Sequence, residues 1–196
     1  LSPKSFIGEN GQPFDSAQGL RGRKVLKIER FGKLLAIDLD KITLLIHLKM
    51  TGQLIWKGES VKREGVRFVG GHPTEDMMGK MPNAHTRVIF SFSDDSHLFF
   101  NDQRRFGWIK IVDSRLRGND KKGVILERNV IPDLIGDLGP EPLEKEFTWE
   151  ILKNNLLKHK SMPVKVAIMD QAVVSGVGNI YSNEALWWSK IHPEKS

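Results

Sequence analysis

The amino-acid sequence predicts an α+β fold, with an N-terminal antiparallel β-sandwich followed by an α-helical domain. Short apolar runs separated by polar turns recur between residues 25 and 112, a spacing typical of antiparallel sheets. After Pro142 the apolar residues recur with helical spacing instead. We therefore predict two domains, residues 1–140 and residues 141–196, with the boundary within residues 138–146.

Polar turns divide the first domain into six predicted strands. Alternating or continuous apolar residues place these strands at residues 25–30, 34–39, 43–48, 86–92, 97–100 and 108–112. Asp40 and Lys41 separate the second strand from the third, and the polar residues 93–96 have the composition of a hairpin turn. The polar, glycine-containing segment 57–84 is expected to form a long surface loop.

The second domain is predicted to contain three helices. Thr148 is the expected N-cap of the first helix. The apolar residues of this helix fall on one face and are Trp149, Leu152, Leu156 and Leu157. The second helix is expected at residues 162–171, and the third carries the apolar residues 185–188.

A turn with two glycines precedes the third helix. Gly176 and Gly178 permit positive φ angles and close approach of the backbone to a ligand. The helix that begins near Asn179 directs unpaired N–H groups and a positive dipole end at whatever lies in front of it, which suits a phosphate. Asn179 could cap the helix or donate its amide to the ligand. On this motif alone, a capped helix after a glycine turn explains the pattern equally well.

The charge balance is basic, which is typical of proteins that bind nucleic acid. The 30 lysines and arginines outnumber the 24 aspartates and glutamates, giving a net charge of +6. No apolar run approaches the roughly 18 residues that span a bilayer, and no signal-peptide pattern is present. We therefore expect no membrane partner and a cytoplasmic bacterial location. The sequence has no coiled-coil heptads, so a monomer is expected.

Five ordered motifs resemble those of the formamidopyrimidine-DNA glycosylase family. They lie at residues 46–54, 101–107, 138–143, 176–186 and 191–193. The resemblance implies a helix-two-turns-helix module in the second domain. It also implies base-excision repair: a DNA glycosylase with abasic-site lyase activity that removes oxidised purines such as 8-oxoguanine and formamidopyrimidines. The expected partner is double-stranded DNA containing oxidised bases or abasic sites, and the expected location is the bacterial nucleoid.

The catalytic residues of the family have no counterpart in this sequence. Enzymes of the family use the amine of an N-terminal proline as nucleophile, together with an adjacent glutamate. The sequence begins at Leu1, and Pro3 is internal, so its nitrogen is an amide. We assign no catalytic residue in this chain. We expect the sequence to start inside a longer protein and to be inactive by itself.

The zinc finger of the family also has no counterpart. In the family the chain continues beyond the motif at residues 191–193 into further helices and a four-cysteine zinc finger. This sequence has no cysteine, and its histidines lack ligand spacing; they are His47, His72, His85, His97, His159 and His192. We predict no metal site and no cofactor here, whereas a full-length protein would bind one zinc.

Three residues match the positions at which the family fills the space left by an extracted nucleotide. They are Met50, Arg104 and Phe106. A thioether, a guanidinium and an aromatic ring suit this role, because extraction costs stacking and pairing energy that inserted side chains offset. The resemblance at these positions indicates the oxidised-purine branch. The alternative is that Met50 and Phe106 are ordinary core residues.

Five further residues match the family's contacts to DNA phosphates. They are Lys33, His85, Lys165, Gly178 and Asn179. Cationic side chains, amides and backbone N–H groups are the usual donors to phosphate oxygens. Without the resemblance, Lys33 and Lys165 would be interpreted as solvated surface lysines.

Two features depart from the family pattern. Gln103 stands where the family commonly has proline, and the loss of proline is expected to loosen the turn that carries Arg104. Residues 15–22 and 113–118 share an Asp-Ser and Leu-Arg-Gly skeleton and are interpreted as loop insertions, the second reaching toward residue 137. Arg115 and Arg117 could contact DNA, although coincidence and simple solvation remain open for these segments.

Three functions compete at this stage. The first is the glycosylase and lyase described above. The second is a catalytically inactive homologue that binds damaged DNA or abasic sites. The third, a basic ribosome-associated protein, explains the charge but not the combination of Met50, Arg104 and Phe106.

Overall fold

The computed structural model describes residues 6–7, 13–14, 20–58, 68–71, 79–113 and 137–195. The expectations for Pro3, Arg115, Arg117 and most of both insertions lie outside these residues. Near the start of the chain, β1 (Phe6–Ile7) and β2 (Pro13–Phe14) pair in antiparallel fashion. Neither of these two-residue strands was among the predicted elements.

The first four-stranded sheet consists of predicted strands. It contains β3 (Val25–Phe31), β4 (Leu34–Leu39), β5 (Ile42–His47) and β10 (Trp108–Asp113) in the order β10-β5-β4-β3. Every pairing is antiparallel. Gly32 at φ 57° and Lys41 at φ 77° occupy the left-handed region in the two tight turns that join β3 to β4 and β4 to β5.

The second four-stranded sheet contains two strands that the apolar pattern did not indicate. Its members are β6 (Gly52–Lys57), β7 (Phe68–Gly71), β8 (Thr86–Ser91) and β9 (His97–Asp102), in the order β7-β6-β9-β8. The prediction of one continuous loop at residues 57–84 is wrong for β7. A strand containing Gly70 and Gly71 has little propensity of its own, and its pairing with β6 supplies the hydrogen bonds that define it.

The two sheets share one hydrophobic cluster. Ile37, Leu44 and Ile46 of the first sheet are buried together with Phe100 of the second. Leu54, Val88 and Phe90, also from the second sheet, pack against this cluster. The α+β class with antiparallel sheets followed by helices is confirmed, and the shared cluster is the contact that a two-layered arrangement requires.

Three helices follow: α1 (Trp149–Leu157), α2 (Val164–Met169) and α3 (Asn179–Trp188). Thr148 caps α1 as predicted, since its side chain accepts a hydrogen bond from the Ile151 N–H. The predicted second helix at residues 162–171 is too long, because Pro163 occupies the N-cap and Asp170 is already extended. Among the described residues, no helix is long and apolar enough to cross a membrane.

The segment before α1 joins the sheets to the helices. The Gly139 N–H donates to the Gln171 carbonyl at 2.7 Å, and the Ser175 N–H donates to the Pro140 carbonyl at 3.0 Å. From the sheet side, Arg30 forms a 3.0 Å ion pair with the buried Glu141. These contacts hold the β3–β4 turn against the turn that precedes α3.

Candidate nucleic-acid interface

Lys33 and Gly178 meet where the β3–β4 turn faces the turn before α3. Lys33 Nζ donates a hydrogen bond to the Val177 carbonyl at 2.8 Å, across 144 residues of sequence. A Cβ on Gly178 would lie 3.2 Å from Lys33 Nζ. The φ of Gly178 is −125°, which any residue can adopt, so backbone strain does not require glycine here, whereas a side chain would crowd the adjacent ammonium.

The start of α3 presents unpaired donors beside this lysine. Gly178 is the N-cap residue and Asn179 is the first helical residue, so the alternative in which Asn179 caps the helix is wrong. The Asn179 side chain is exposed and has no hydrogen-bond partner within the described part of the chain. Its amide, the first N–H groups of α3 and the Lys33 ammonium together form a set of donors suited to an anion.

His47 lies near the same lysine and is not among the site residues that the sequence indicates. It ends β5, where it pairs with Leu34 of β4, and its ring lies 5.7 Å from that of Trp108. Burial and the charges of Lys49 and Lys33 lower the pKa of His47 to about 4. The motif at residues 46–54 was the available signal, but only Met50 was selected from it.

The neutral His47 ring carries its proton on Nε2, which is therefore its hydrogen-bond donor. Its Nδ1 accepts a hydrogen bond from the Lys49 N–H at 3.0 Å, which requires the proton of the neutral ring to reside on Nε2. Burial, followed by the charge of Lys49, also lowers the pKa of Lys33. The charged forms of Lys33 and His47 are disfavoured first by burial and then by basic neighbours, and a bound anion would offset that repulsion.

The shifted pKa of His47 predicts a pH-dependent stability. The unfolded side chain takes up a proton below pH 6.5, whereas the folded one does so near pH 4. The contribution of neutral His47 to the free energy of unfolding is therefore fully present above pH 6.5. It declines as the pH falls toward 4, by on the order of 1 kcal/mol for a half-buried, solvent-screened group. Denaturant unfolding of His47→Gln from pH 7 to 4 should show a flatter profile than wild type, with His97→Gln as control. Identical wild-type and His47→Gln profiles would contradict the assignment.

The three residues selected as void fillers converge in space. An Arg104 guanidinium nitrogen lies 3.6 Å from the Met50 sulfur, and the guanidinium carbon lies 5.6 Å from the centre of the Phe106 ring. Met50 is 58% exposed and Phe106 is 55% exposed. The core interpretation of these two residues is therefore wrong, since neither side chain is buried among the described residues.

A buried carboxylate holds the loops that carry this cluster. Asp102 accepts hydrogen bonds from the Thr51 hydroxyl and from the Gly107 N–H, the latter at 2.7 Å. Thr51 in turn accepts a 3.1 Å hydrogen bond from the Arg104 N–H. The turn that contains Gln103 and Arg104 is therefore restrained by the side chains of Asp102 and Thr51, at the position where the resemblance predicted a proline.

The remaining two candidate phosphate contacts, His85 and Lys165, lie on other elements than Lys33. The His85 carbonyl accepts a hydrogen bond from the Asp102 N–H at 2.9 Å, which places His85 beside the strand that leads to Arg104. Lys165 lies in the first turn of α2, which packs against α3. No hydrogen bond found in the described residues connects the Lys165 side chain to Lys33 or Asn179.

The described residues contain no group of three or more histidine, cysteine, aspartate or glutamate side chains that could hold a metal ion. His47 lies between two lysines. The charges of Lys33 and Lys49 both act on its ring, the Lys49 N–H bonds its Nδ1, and Met50 of the exposed cluster follows Lys49 in the sequence. The arrangement can hold an anion at one end and present exposed apolar, planar and cationic side chains at the other.

Two family profiles match this chain. Residues 2–109 match the formamidopyrimidine-DNA glycosylase N-terminal domain, and residues 138–196 match the formamidopyrimidine-DNA glycosylase H2TH domain. Formamidopyrimidine-DNA glycosylase of Roseobacter denitrificans is 35% identical over 92% of this chain and 56% of its own length. The enzyme of the same name from Ligilactobacillus salivarius is 34% identical over 99% of this chain and 58% of its own length. The chain thus spans little more than half the length of these relatives.

Similar solved structures contain DNA. The Lactococcus lactis protein Fpg, in complex with DNA that contains an abasic site, superposes with a TM-score of 0.67 and 26% identity, over all of this chain and 59% of that one. MutM in complex with DNA that contains carbocyclic 8-oxo-G gives a TM-score of 0.63 and 27% identity, over 91% of this chain and 56% of that one.

Proposed function

The chain belongs to the formamidopyrimidine-DNA glycosylase family, and we propose that the protein containing it acts in base-excision repair. In this proposal the protein removes oxidised purines from double-stranded DNA and cleaves the strand at the abasic site. One observation carries the proposal: the chain combines a set of donors around Lys33 and Gly178 with an exposed cluster of Met50, Arg104 and Phe106. The names of the relatives and of the DNA-bound structures support it.

The donors around Lys33 are proposed to hold one DNA strand by its phosphates. Lys33 supplies charge, the Asn179 amide and the Gly178 N–H supply directed hydrogen bonds, and neutral His47 donates from Nε2. Binding to phosphate releases counterions, which makes the affinity dependent on salt. His85 and Lys165 are proposed to contact phosphates further along the DNA.

The exposed cluster is proposed to fill the space of an extracted nucleotide. Arg104 has the donors needed to bond an orphaned base, while Phe106 and Met50 offer planar and flexible apolar surface. Their present contacts with one another keep these side chains together without burying them. The cluster can therefore enter a gap in the base stack without the loss of a packed core.

Borohydride trapping tests the proposed chemistry. The full-length gene product should form a covalent adduct with a duplex containing 8-oxoguanine, because lyase cleavage passes through an amine–sugar Schiff base that borohydride reduces. An undamaged duplex should give no adduct. Lys33→Met should weaken adduct formation at limiting protein concentration. Lys153→Met is the control and should not weaken it, because the Lys153 ammonium lies over the exposed Trp149 ring.

The outcomes separate the competing functions. Selective binding to abasic DNA without any adduct would favour the inactive, damage-binding homologue. If the protein forms no adduct and shows no preference for damaged duplex, both the enzyme proposal and the damage-binding proposal are overturned.

A further inference from the structure

The Nε2 and Oε1 of Gln171 both hydrogen-bond to the backbone between the end of α2 and the start of α3. Its Nε2 donates to the Met169 carbonyl at 2.9 Å and to the Val177 carbonyl at 2.8 Å. Its Oε1 accepts from the Gly176 N–H at 3.0 Å. The network fixes the orientation of the amide, because a flipped side chain would place its oxygen against two carbonyl oxygens.

The Val177 carbonyl connects Gln171 to Lys33. This oxygen accepts from Gln171 Nε2 and from Lys33 Nζ, each at 2.8 Å. A carbonyl oxygen has two lone pairs, and these two donors occupy both. The position of the lysine ammonium therefore depends on the orientation of this one peptide group.

The same peptide group carries the Gly178 N–H. In a trans peptide the C=O and N–H point in opposite directions within one rigid plane. When Gln171 and Lys33 hold the Val177 oxygen on one side, the Gly178 N–H is directed to the opposite side. Gly178 is the N-cap of α3, where N–H groups lack helical partners.

We infer that Gln171 is a positioning residue that orients the Val177–Gly178 peptide: it directs the Gly178 N–H toward a DNA phosphate and fixes the Lys33 ammonium on the carbonyl side of the same peptide, where its charge adds to the attraction for the DNA strand. The inference rests on the proposed function, since it concerns the phosphate contacts named there. Gln171 does not itself touch the DNA. Its hydrogen bonds to Met169 and Gly176 connect the oriented peptide to the end of α2 and to the glycine turn.

A second amide in the same region provides a matched control. Asn155 Nδ2 on α1 donates a hydrogen bond to the Val173 carbonyl at 3.1 Å. Like Gln171, Asn155 thus uses its side-chain amide to bond the segment before α3. Within the described part of the chain, its side chain makes no hydrogen bond to the Val177 peptide or to Lys33. Loss of this bond therefore reproduces the structural consequence of removing an amide without changing the phosphate donors.

The test measures binding of the full-length protein to an undamaged duplex over a range of salt concentrations. Lys33→Met should weaken binding about tenfold and reduce the log–log salt slope by about one. Gln171→Met retains the size of the side chain but cannot donate to Val177, and it should produce a similar loss and slope change. The double variant should bind within about threefold of Lys33→Met, because coupled residues are not additive. Asn155→Leu should retain the wild-type slope.

A second variant keeps the inference testable if Gln171→Met unfolds. Gln171→Glu preserves the side-chain shape, and its carboxylate cannot donate until it is protonated. Its binding relative to wild type should therefore recover as the pH falls through about 4.3, the ordinary pKa of a glutamate. The absence of this recovery in a folded Gln171→Glu protein would overturn the positioning role.

The possible failures are distinguishable. If Lys33→Met weakens binding while Gln171→Met retains both the affinity and the salt slope, the positioning role is overturned and the proposed function stands. Additive losses in the double variant, or a slope change in Asn155→Leu equal to that in Gln171→Met, would also overturn it. If Lys33→Met leaves binding unchanged, the phosphate contact and the positioning role fail together.

Discussion

Arg104→Ala and Phe106→Ala in the full-length protein should each reduce affinity for a duplex containing an abasic-site analogue by roughly tenfold or more, about 1.5–3 kcal/mol. Binding to undamaged duplex should stay within about twofold, since these side chains act only where a nucleotide has left the stack. Fluorescence anisotropy with both duplexes measures the two affinities. Because Arg104 contacts both Met50 and Phe106, the double variant should lose less than the sum of the two losses.

Thermal melts provide the control for this prediction. Truncation of a core phenylalanine costs about 3–5 kcal/mol, but Phe106 is more than half exposed and should cost far less. Ile89→Ala, at an exposed position on β8 away from the cluster, is the matched apolar control. If Phe106→Ala lowers the melting temperature sharply and spares discrimination of damaged DNA, the void-filling role is wrong.

Asp102→Ala should lower the free energy of unfolding by about 2–4 kcal/mol. The carboxylate is 1% exposed, and its removal leaves the Thr51 hydroxyl and the Gly107 N–H without their acceptor. Bonds to charged groups contribute about 1.5–3 kcal/mol each, and the loss is not fully additive. Urea unfolding followed by tryptophan fluorescence measures the change.

Asp102→Asn and Asp94→Ala are the controls for the unfolding of Asp102→Ala. Asp102→Asn keeps the volume and one acceptor oxygen, so its destabilisation should be smaller than that of Asp102→Ala. Asp94 is an exposed carboxylate that bonds Ser96 within the β8–β9 turn, and its removal should cost less than that of Asp102. Equal stability of wild type and Asp102→Ala would exclude Asp102 as the support of the Arg104 turn.

The elements that depend on neighbouring residues could be predicted from the sequence. Apolar alternation was sufficient for β3, β4, β5, β8, β9 and β10, and the Thr148 cap depends on a contact three residues away. The strand β7 could not be predicted in this way. Its glycines have weak strand propensity, and Gly71 at φ 111° lies so close to β6 that a Cβ would meet the Gly52 carbonyl at 2.3 Å.

The candidate site shows the same difference between features that depend on neighbouring residues and features that depend on distant ones. The basic charge, the residue types and the order of the motifs are all present in the sequence, and they indicate Met50, Arg104, Phe106 and the donors near Asn179. The fold adds that Lys33 bonds the Val177 carbonyl, that Met50 and Phe106 are exposed, and that His47 lies near two lysines. The physical reason is range: helix caps and strand alternation depend on residues a few positions apart, whereas burial, pKa shifts and shared carbonyls depend on segments that only folding brings together.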